Sequence, residues 1–228
     1  MIKYLLYPFS CLFGMIVYLR NKLYDWNVLP SINSKLPVIS VGNIQVGGTG
    51  KTPFVIALAK KLRANNIKPL IITRGYKRNT NHQIILNNLD QYSAQEVGDE
   101  PYYIKTELPN VPIIIDHNKK NAAQTANALS NIDCIVIDDG FQSRYINKNL
   151  DIVLLDKADA LNSALLPAGR LREPIANLKR ADFVYNKGDK PLNVNYKIHQ
   201  YIKNKKKIMN TIDLKDPCIA FCGIGNTN

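Results

Sequence analysis

From Pro37 to Pro53 the chain reads PVISVGNIQVGGTGKTP: an apolar run of strand length (Pro37 to Val41), a turn carrying Gly47, Gly48 and Gly50, and a helix start at Lys51-Thr52. Glycines in such a turn let successive backbone N–H groups point at one anion, and the helix N-terminus adds its partial positive charge. The lysine reaches the outer phosphates, and the threonine hydroxyl is placed for Mg²⁺. The common pattern G-x-x-x-x-G-K-[ST] asks for glycine at position 45, where this chain has Gln45. The plain alternative is an ordinary glycine-rich strand-to-helix turn. Three glycines ahead of Lys51-Thr52, flanked by a strand and a helix, favour nucleotide binding through Gly47, Gly48, Thr49, Gly50, Lys51 and Thr52.

The rest of the chain alternates strands and helices around that turn. Phe54, Leu58 and Leu62 recur at helical spacing, predicting a helix from Lys51 to about Asn65. A strand at Lys68 to Thr73 ends in Arg74-Gly75-Tyr76, and residues just past strand ends line the ligand crevice of an open parallel sheet. Arg74 and Tyr76 are therefore candidates for the substrate side. Asn79 to Asp90 is polar and weakly patterned, an excursion or a hairpin. A helix is expected up to Leu108, a strand at Val111 to Ile115, and a helix from Lys119 to Leu129.

The strand Asp133 to Ile137 runs into Asp138-Asp139, an apolar run ending in paired aspartates. Beside a phosphate-binding loop, that pattern puts a carboxylate where Mg²⁺ would sit. Further strands are expected at Asp151 to Leu155, Ala181 to Tyr185 and Pro217 to Cys222. Between them, Arg170, Arg172 and Glu173 lie in a Gly/Pro-framed loop that can clamp phosphate or be a surface turn with an internal ion pair. The pattern predicts an α/β fold, a P-loop-like, doubly wound and mostly parallel sheet.

The N-terminus carries no charge from Tyr4 to Leu19, with Lys3 before the run and Arg20 and Lys22 after it. As a helix that run is about 24 Å long, short of the roughly 30 Å hydrocarbon core, and Pro8 is expected to interrupt it. Basic flanks and aromatic content suit a helix lying in the cytoplasmic face of a membrane, while a helix packed in the core fits the same residues. The net charge of +12 points to an anionic partner. No interleaving of basic and aromatic residues marks a nucleic-acid surface, and the run Lys203, Lys205, Lys206, Lys207 reads as a solvated turn. Cys11, Cys134, Cys218 and Cys222 lack C-x-x-C spacing, as in a protein that keeps its thiols reduced. Asn186-Lys187-Gly188-Asp189 has the form of the guanine-reading tetrapeptide of GTPases, a short and therefore weak match.

Taken together, RNKLYD, VGNIQVGGTGKTP, TRGYKR, VGDEP, IDDGFQ, LDIVLLD, LLPAGRLREP and AFCGIGN resemble, in order and over nearly the whole chain, the tetraacyldisaccharide 4'-kinases of lipid A biosynthesis. The resemblance implies a membrane-associated kinase at the cytoplasmic face of the inner membrane. It would move the γ-phosphate of ATP, with Mg²⁺, to the 4'-hydroxyl of a tetraacylated glucosamine disaccharide 1-phosphate. It implies phosphate and metal contacts at Lys51 and Thr52, metal-side carboxylates at Asp138 and Asp139, and a base for the sugar hydroxyl at Asp99. Glu100, Gln142, Arg172 and Glu173 match positions near substrate or nucleotide. Family members often carry histidine where this chain has Ser143. They also continue beyond GIGN into a C-terminal lobe that supplies a histidine to the catalytic aspartate. The expected organisation is a membrane-associating helix (1–30), a P-loop kinase core (31–195) and an incomplete second lobe (196–228), which leaves a catalytically impaired nucleotide-binding fragment as the alternative.

Overall fold

The computed structural model describes residues 2–186 and, as backbone, the strands at 201–203 and 206–209. The chain divides into two compact units, Met1–Lys187 and Gly188–Asn228. In the second unit the described residues form an antiparallel pair, β8 (Tyr201–Lys203) with β9 (Lys206–Met209). The expected strand at Pro217 to Cys222 lies outside the described residues.

The first unit is built on a seven-stranded sheet in the order β3-β4-β2-β5-β1-β6-β7. Its strands are β1 (Val38–Gly42), β2 (Pro69–Thr73), β3 (Ile84–Leu86), β4 (Ile113–Ile115), β5 (Cys134–Asp138), β6 (Leu150–Leu155) and β7 (Phe183–Asn186). Every pair is parallel except β3 with β4, which closes one edge as an antiparallel strand. The polar excursion after β2 thus contributes the edge strand, in which only Ile84 and Leu86 turn inward.

Strands buried on both faces read as unbroken apolar runs, and β1, β2, β4, β5 and β6 are buried at every residue. On one face Val38, Leu70, Ile72, Ile114, Ile135 and Ile137 pack with Ala122, Ala123 and Ala126 of α5 (Lys119–Ala126). Helix α2 (Lys51–Ala64) contacts β1, β2 and β5 and buries Val55, Ile56, Leu58, Ala59 and Leu62. A short α3 (Ala94–Val97) leads through Gly98 into α4 (Asp99–Glu107), and α6 (Lys157–Leu161) follows β6. A 3₁₀ helix at Ile175–Arg180 precedes β7. Each fully buried Ile or Leu contributes about 1.5–3 kcal/mol relative to exposure, so the central strands form a stiff platform for the loops at their ends.

Helix α1 (Ile2–Asp25) departs from expectation. It runs through Pro8 without a break, because a proline near the start of a long helix removes one hydrogen bond and leaves the later turns intact. It is not a core helix either: Tyr4 is 84% exposed and Leu5 75%, and Phe9, Leu12, Met15, Ile16, Tyr18 and Leu19 are exposed too. Ser10, Val17 and Asn21 face the protein and are buried. Among the described residues, no helix is long and apolar enough to cross a membrane.

Candidate functional site

Strand β1 lies between β5 and β6, with Val41 in register with Asp138 and Gly42 with Val153. The glycine turn after β1 and the paired aspartates after β5 therefore emerge side by side at the same end of the sheet. Gly42 permits this closeness: a Cβ there would lie 2.6 Å from both the Cβ and the backbone nitrogen of Phe141.

In the turn, Gly47 and Gly50 have φ of 116° and 83°, values that favour glycine. Gly50 stands at the N-cap of α2 with no side-chain cap, so the first amides of the helix remain open for an anion. The buried Asn43 steadies the loop by donating to Thr49 Oγ1 at 2.8 Å. Gln45, standing where glycine is usual, is turned away from the turn. Its Nε2 donates to Asp159 Oδ2 (2.8 Å) and to the Asp156 carbonyl (3.1 Å), and its Oε1 accepts from Asp156 N–H (2.9 Å). The residue is a pin between the loop and the start of α6.

Six residues expected at the site meet around the two aspartates: Lys51, Thr52, Glu100, Asp138, Asp139 and Arg172. Asp139 adopts a left-handed φ of 50°. Arg172 Nη1 bonds both its oxygens, and Lys51 Nζ lies 3.7 Å from Oδ1. Burial alone would raise the Asp139 pKa, but Lys51, Arg172 and Lys119 outweigh it and hold the carboxyl below its ordinary range. Asp138 is buried and accepts one hydrogen bond, from Thr73 Oγ1 at 3.2 Å, while its Oδ1 has no hydrogen-bond partner. Burial pushes its pKa up to about 7, Glu100 and Asp139 adding to the rise and Lys119 and Lys51 opposing it. Thr52 Oγ1 donates to Glu100 Oε1. Glu100 sits in the first turn of α4, where a helix N-terminus favours negative charge.

These groups fit a magnesium ion. The Thr52 hydroxyl, the orphaned buried oxygen of Asp138 and the Glu100 carboxylate beside them are hard oxygen donors in one corner. No group of three or more His, Cys, Asp or Glu side chains suited to a metal occurs among the described residues.

The remaining expected residues are placed differently. Asp99 is exposed at the start of α4, next to Glu100. Arg74 is exposed at the end of β2 with Nε 3.4 Å from His117 Nδ1, and Tyr76 is exposed with Lys77 Nζ 5.6 Å from its ring centre. Gln142 donates to the Asn43 carbonyl at 2.8 Å, which ties it to the strand below the glycine turn. Glu173 is fully buried under α1 and accepts from Asn21, Asn177 and Arg180. Asn186 ends β7, and Lys187 to Asp189 lie outside the described residues.

One contributor has no counterpart among the expected residues, and a second, Arg170, takes a different task from the phosphate clamp expected of its loop. Lys119, buried at the start of α5, donates from Nζ to the carbonyls of Asp138 (2.7 Å) and Asp139 (2.5 Å), fixing the left-handed turn between strand and site. Burial lowers its pKa, with Asp139 and Asp138 opposing. Arg170 donates from Nε and Nη2 to the Val46 carbonyl in the glycine turn. A basic residue opening a helix just after a strand end was the available signal for Lys119.

Comparison with known proteins adds three findings. The family model described as Tetraacyldisaccharide-1-P 4'-kinase matches residues 2–228. Among curated proteins, the chain is 40% identical over 182 residues to the tetraacyldisaccharide 4'-kinase of Bacteroides thetaiotaomicron, covering 78% of this chain and 47% of that protein. It is 41% identical over 191 residues to the tetraacyldisaccharide 4'-kinase of Psychromonas ingrahamii, covering 83% and 59%. The chain spans about half the length of the curated relatives it matches. Among solved structures, LpxK from Aquifex aeolicus in complex with ATP is similar at a TM-score of 0.77 and 37% identity, covering 86% of this chain and 62% of that one.

Proposed function

Because this chain belongs to the tetraacyldisaccharide-1-P 4'-kinase family, we propose that it is an ATP-dependent kinase acting on the 4'-hydroxyl of a tetraacylated glucosamine disaccharide 1-phosphate. The observation that carries the reading is the convergence of Lys51, Thr52, Glu100, Asp138, Asp139 and Arg172 at the sheet end, beside the open amides of α2.

Phosphoryl transfer asks a protein for position and charge neutralisation more than for covalent chemistry. The open amides of the glycine turn and of the first turn of α2, with the Lys51 ammonium, would hold the outer phosphates. Arg172 and Lys51 keep Asp139 ionised and fixed in orientation. Thr52 and Asp138, with Glu100 beside them, would hold Mg²⁺, which supplies charge neutralisation on the phosphates when bound. The acceptor hydroxyl oxygen forms the new bond to the γ-phosphorus as the bond to ADP breaks. Its proton passes to Asp99, which stands exposed at the head of α4 where an acceptor can approach.

The apolar exposed face of α1, followed by Arg20 and Lys22, supports docking on the cytoplasmic face of the inner membrane, where an acylated acceptor resides. Removing residues 2–19 should abolish partitioning onto anionic vesicles, and unchanged partitioning would dismiss this role.

The decisive assay supplies ATP, Mg²⁺ and the tetraacylated disaccharide in detergent to the native chain, Lys51→Ala and Asp99→Ala. Product from the native chain and a loss of about 10²–10³-fold in each variant are expected. An Asp99→Ala rate equal to native removes Asp99 as the base. Nucleotide binding with no product from the native chain favours an impaired nucleotide-binding fragment over the kinase.

A further inference from the structure

One strap of chain, residues 163–174, is held by α1 on one side and by the glycine turn on the other. Toward the turn the contacts are backbone pairs. Val46 N–H donates to the Arg170 carbonyl at 2.8 Å, Arg172 N–H donates to the Ile44 carbonyl at 2.7 Å, and Gln45 forms a bridge with Leu171. From this strap Arg170 also reaches the Val46 carbonyl, and Arg172 grips Asp139.

Toward α1 the contacts are side-chain bonds from one narrow stripe. Ser10, Gly14, Val17 and Asn21 recur at helical spacing along the inward face. Ser10 Oγ lies 2.9 Å from both the Leu165 carbonyl and the Ala168 N–H, so it can donate to one and accept from the other. Gly14 lets the strap approach, since a Cβ there would sit 2.7 Å from Leu165 Cδ1. Asn21 Nδ2 donates to Glu173 Oε2 at 3.1 Å, one residue beyond the arginine that holds Asp139. Arg180 at 2.6 Å and Asn177 at 2.7 Å complete the anchorage of that buried carboxylate.

We infer that α1 is a positioning element of the nucleotide site: Ser10 and Asn21 fix the strap, and through Val46, Arg170 and Arg172 the strap fixes the glycine turn and Asp139. The inference rests on the reading of that turn as an ATP site. It gives the helix a task inside the protein that is separate from its outward apolar face. Ser10 and Asn21 are positioning residues and touch no substrate.

The test compares native chain, Ser10→Ala and Asn21→Ala with Leu129→Ala, a packing variant in the cluster around α5. Three quantities are measured: melting temperature, hydrogen exchange at the Val46 and Arg172 amides, and calorimetric affinity for Mg-ATP. Ser10→Ala and Asn21→Ala should each speed exchange at those two amides about tenfold and weaken Mg-ATP binding about threefold or more. Leu129→Ala, at a similar loss of melting temperature, should change neither. If exchange quickens only within α1 while Val46 and Arg172 keep their native rates, the link is refuted. If Mg-ATP affinity follows melting temperature alike in all three variants, the role is merely structural and the inference falls. A native chain that takes no Mg-ATP defeats the ATP reading, and exchange at Val46 and Arg172 still decides the mechanical link. Ser10→Ala, which deletes a single hydroxyl, decides alone if Asn21→Ala does not fold.

Discussion

Arg172 holds both carboxylate oxygens of Asp139 through a single nitrogen, Nη1, at 3.0 and 2.8 Å. Its neighbour Asp138 keeps one oxygen free of any hydrogen bond. Adjacent aspartates of identical chemistry thus sit in different surroundings: one is bound to cations of the protein, and the other is buried with an open oxygen.

Replacing Arg172 by Ala should let the Asp139 carboxyl rise toward its ordinary pKa and release its fixed orientation. Turnover should fall about 10²–10³-fold. Arg172→Lys should recover only part of it, since an ammonium on a flexible stem is a point charge without the fixed donor direction of a planar guanidinium. Steady-state kinetics on the three proteins checks this, and an Arg172→Ala rate within twofold of native would detach the clamp from catalysis.

Asp138 gives stability a pH dependence of unusual sign. Its folded pKa, about 7, lies above the ordinary 3.8. Between those values the folded chain keeps a proton that the unfolded chain has lost, so without a divalent cation this group's contribution to stability declines as pH rises from about 4 to 7. Mg²⁺ needs the ionised form, so its affinity should climb through the same window. Urea midpoints at pH 5, 6, 7 and 8 should fall more steeply for the native chain than for Asp138→Asn. Parallel curves would show that Asp138 ionises normally.

Lys105 acts at the alkaline end. Its side chain is buried in α4 with Nζ donating to the Val111 carbonyl at 2.8 Å, and burial lowers its pKa to about 8 from 10.5. Between those values the unfolded chain binds the extra proton, so this contribution to stability rises with pH from about 8 to 10.5. At pH 7 the buried charge is a net cost, and Lys105→Met should stabilise the fold by about 1–3 kcal/mol. Denaturant melts at pH 7, 8.5 and 10 should show the advantage of Met shrinking as pH rises, and a constant difference would contradict it.

Gln45→Gly converts the loop to the common glycine spacing, yet it should harm the protein. The substitution deletes three hydrogen bonds to Asp156 and Asp159, which should destabilise the start of α6 by about 1–3 kcal/mol. Nucleotide affinity should not improve. A variant that binds ATP more tightly at unchanged stability would show that Gln45 obstructs the loop.

The sheet was readable because buried parallel strands must be apolar throughout, as Leu70 to Ile72 and Ile135 to Ile137 are. The edge strand Ile84–Leu86 was not, since three residues in a polar stretch carry too little pattern. Lys51, Thr52, Asp138 and Asp139 were legible as types at fixed spacing, but the division of labour between the aspartates depends on Arg172 and Thr73, which lie 33 and 65 residues away in sequence. Glu173 and Gln142 matched positions near substrate or nucleotide. Their partners, Asn21 and Asn43, come from the other end of the chain and turn them into internal fasteners. Pro8 misled because its effect in a helix depends on position, and it stands in the second turn of the described α1, where it removes one hydrogen bond and leaves the later turns intact.

The bracing of the glycine turn also sets an order of assembly during synthesis. Val46 and its arginine brace are separated by 124 positions, and Ser10 and the Leu165 carbonyl by 155. A growing chain displays the turn and α2 long before the residues that hold them are made. Contacts at such sequence distance close late and slowly. Until the strap has left the ribosome, the early segments have an unsecured loop and an uncovered inner face of α1, so the protein acquires its phosphate cradle late, after most of the sheet has been synthesised.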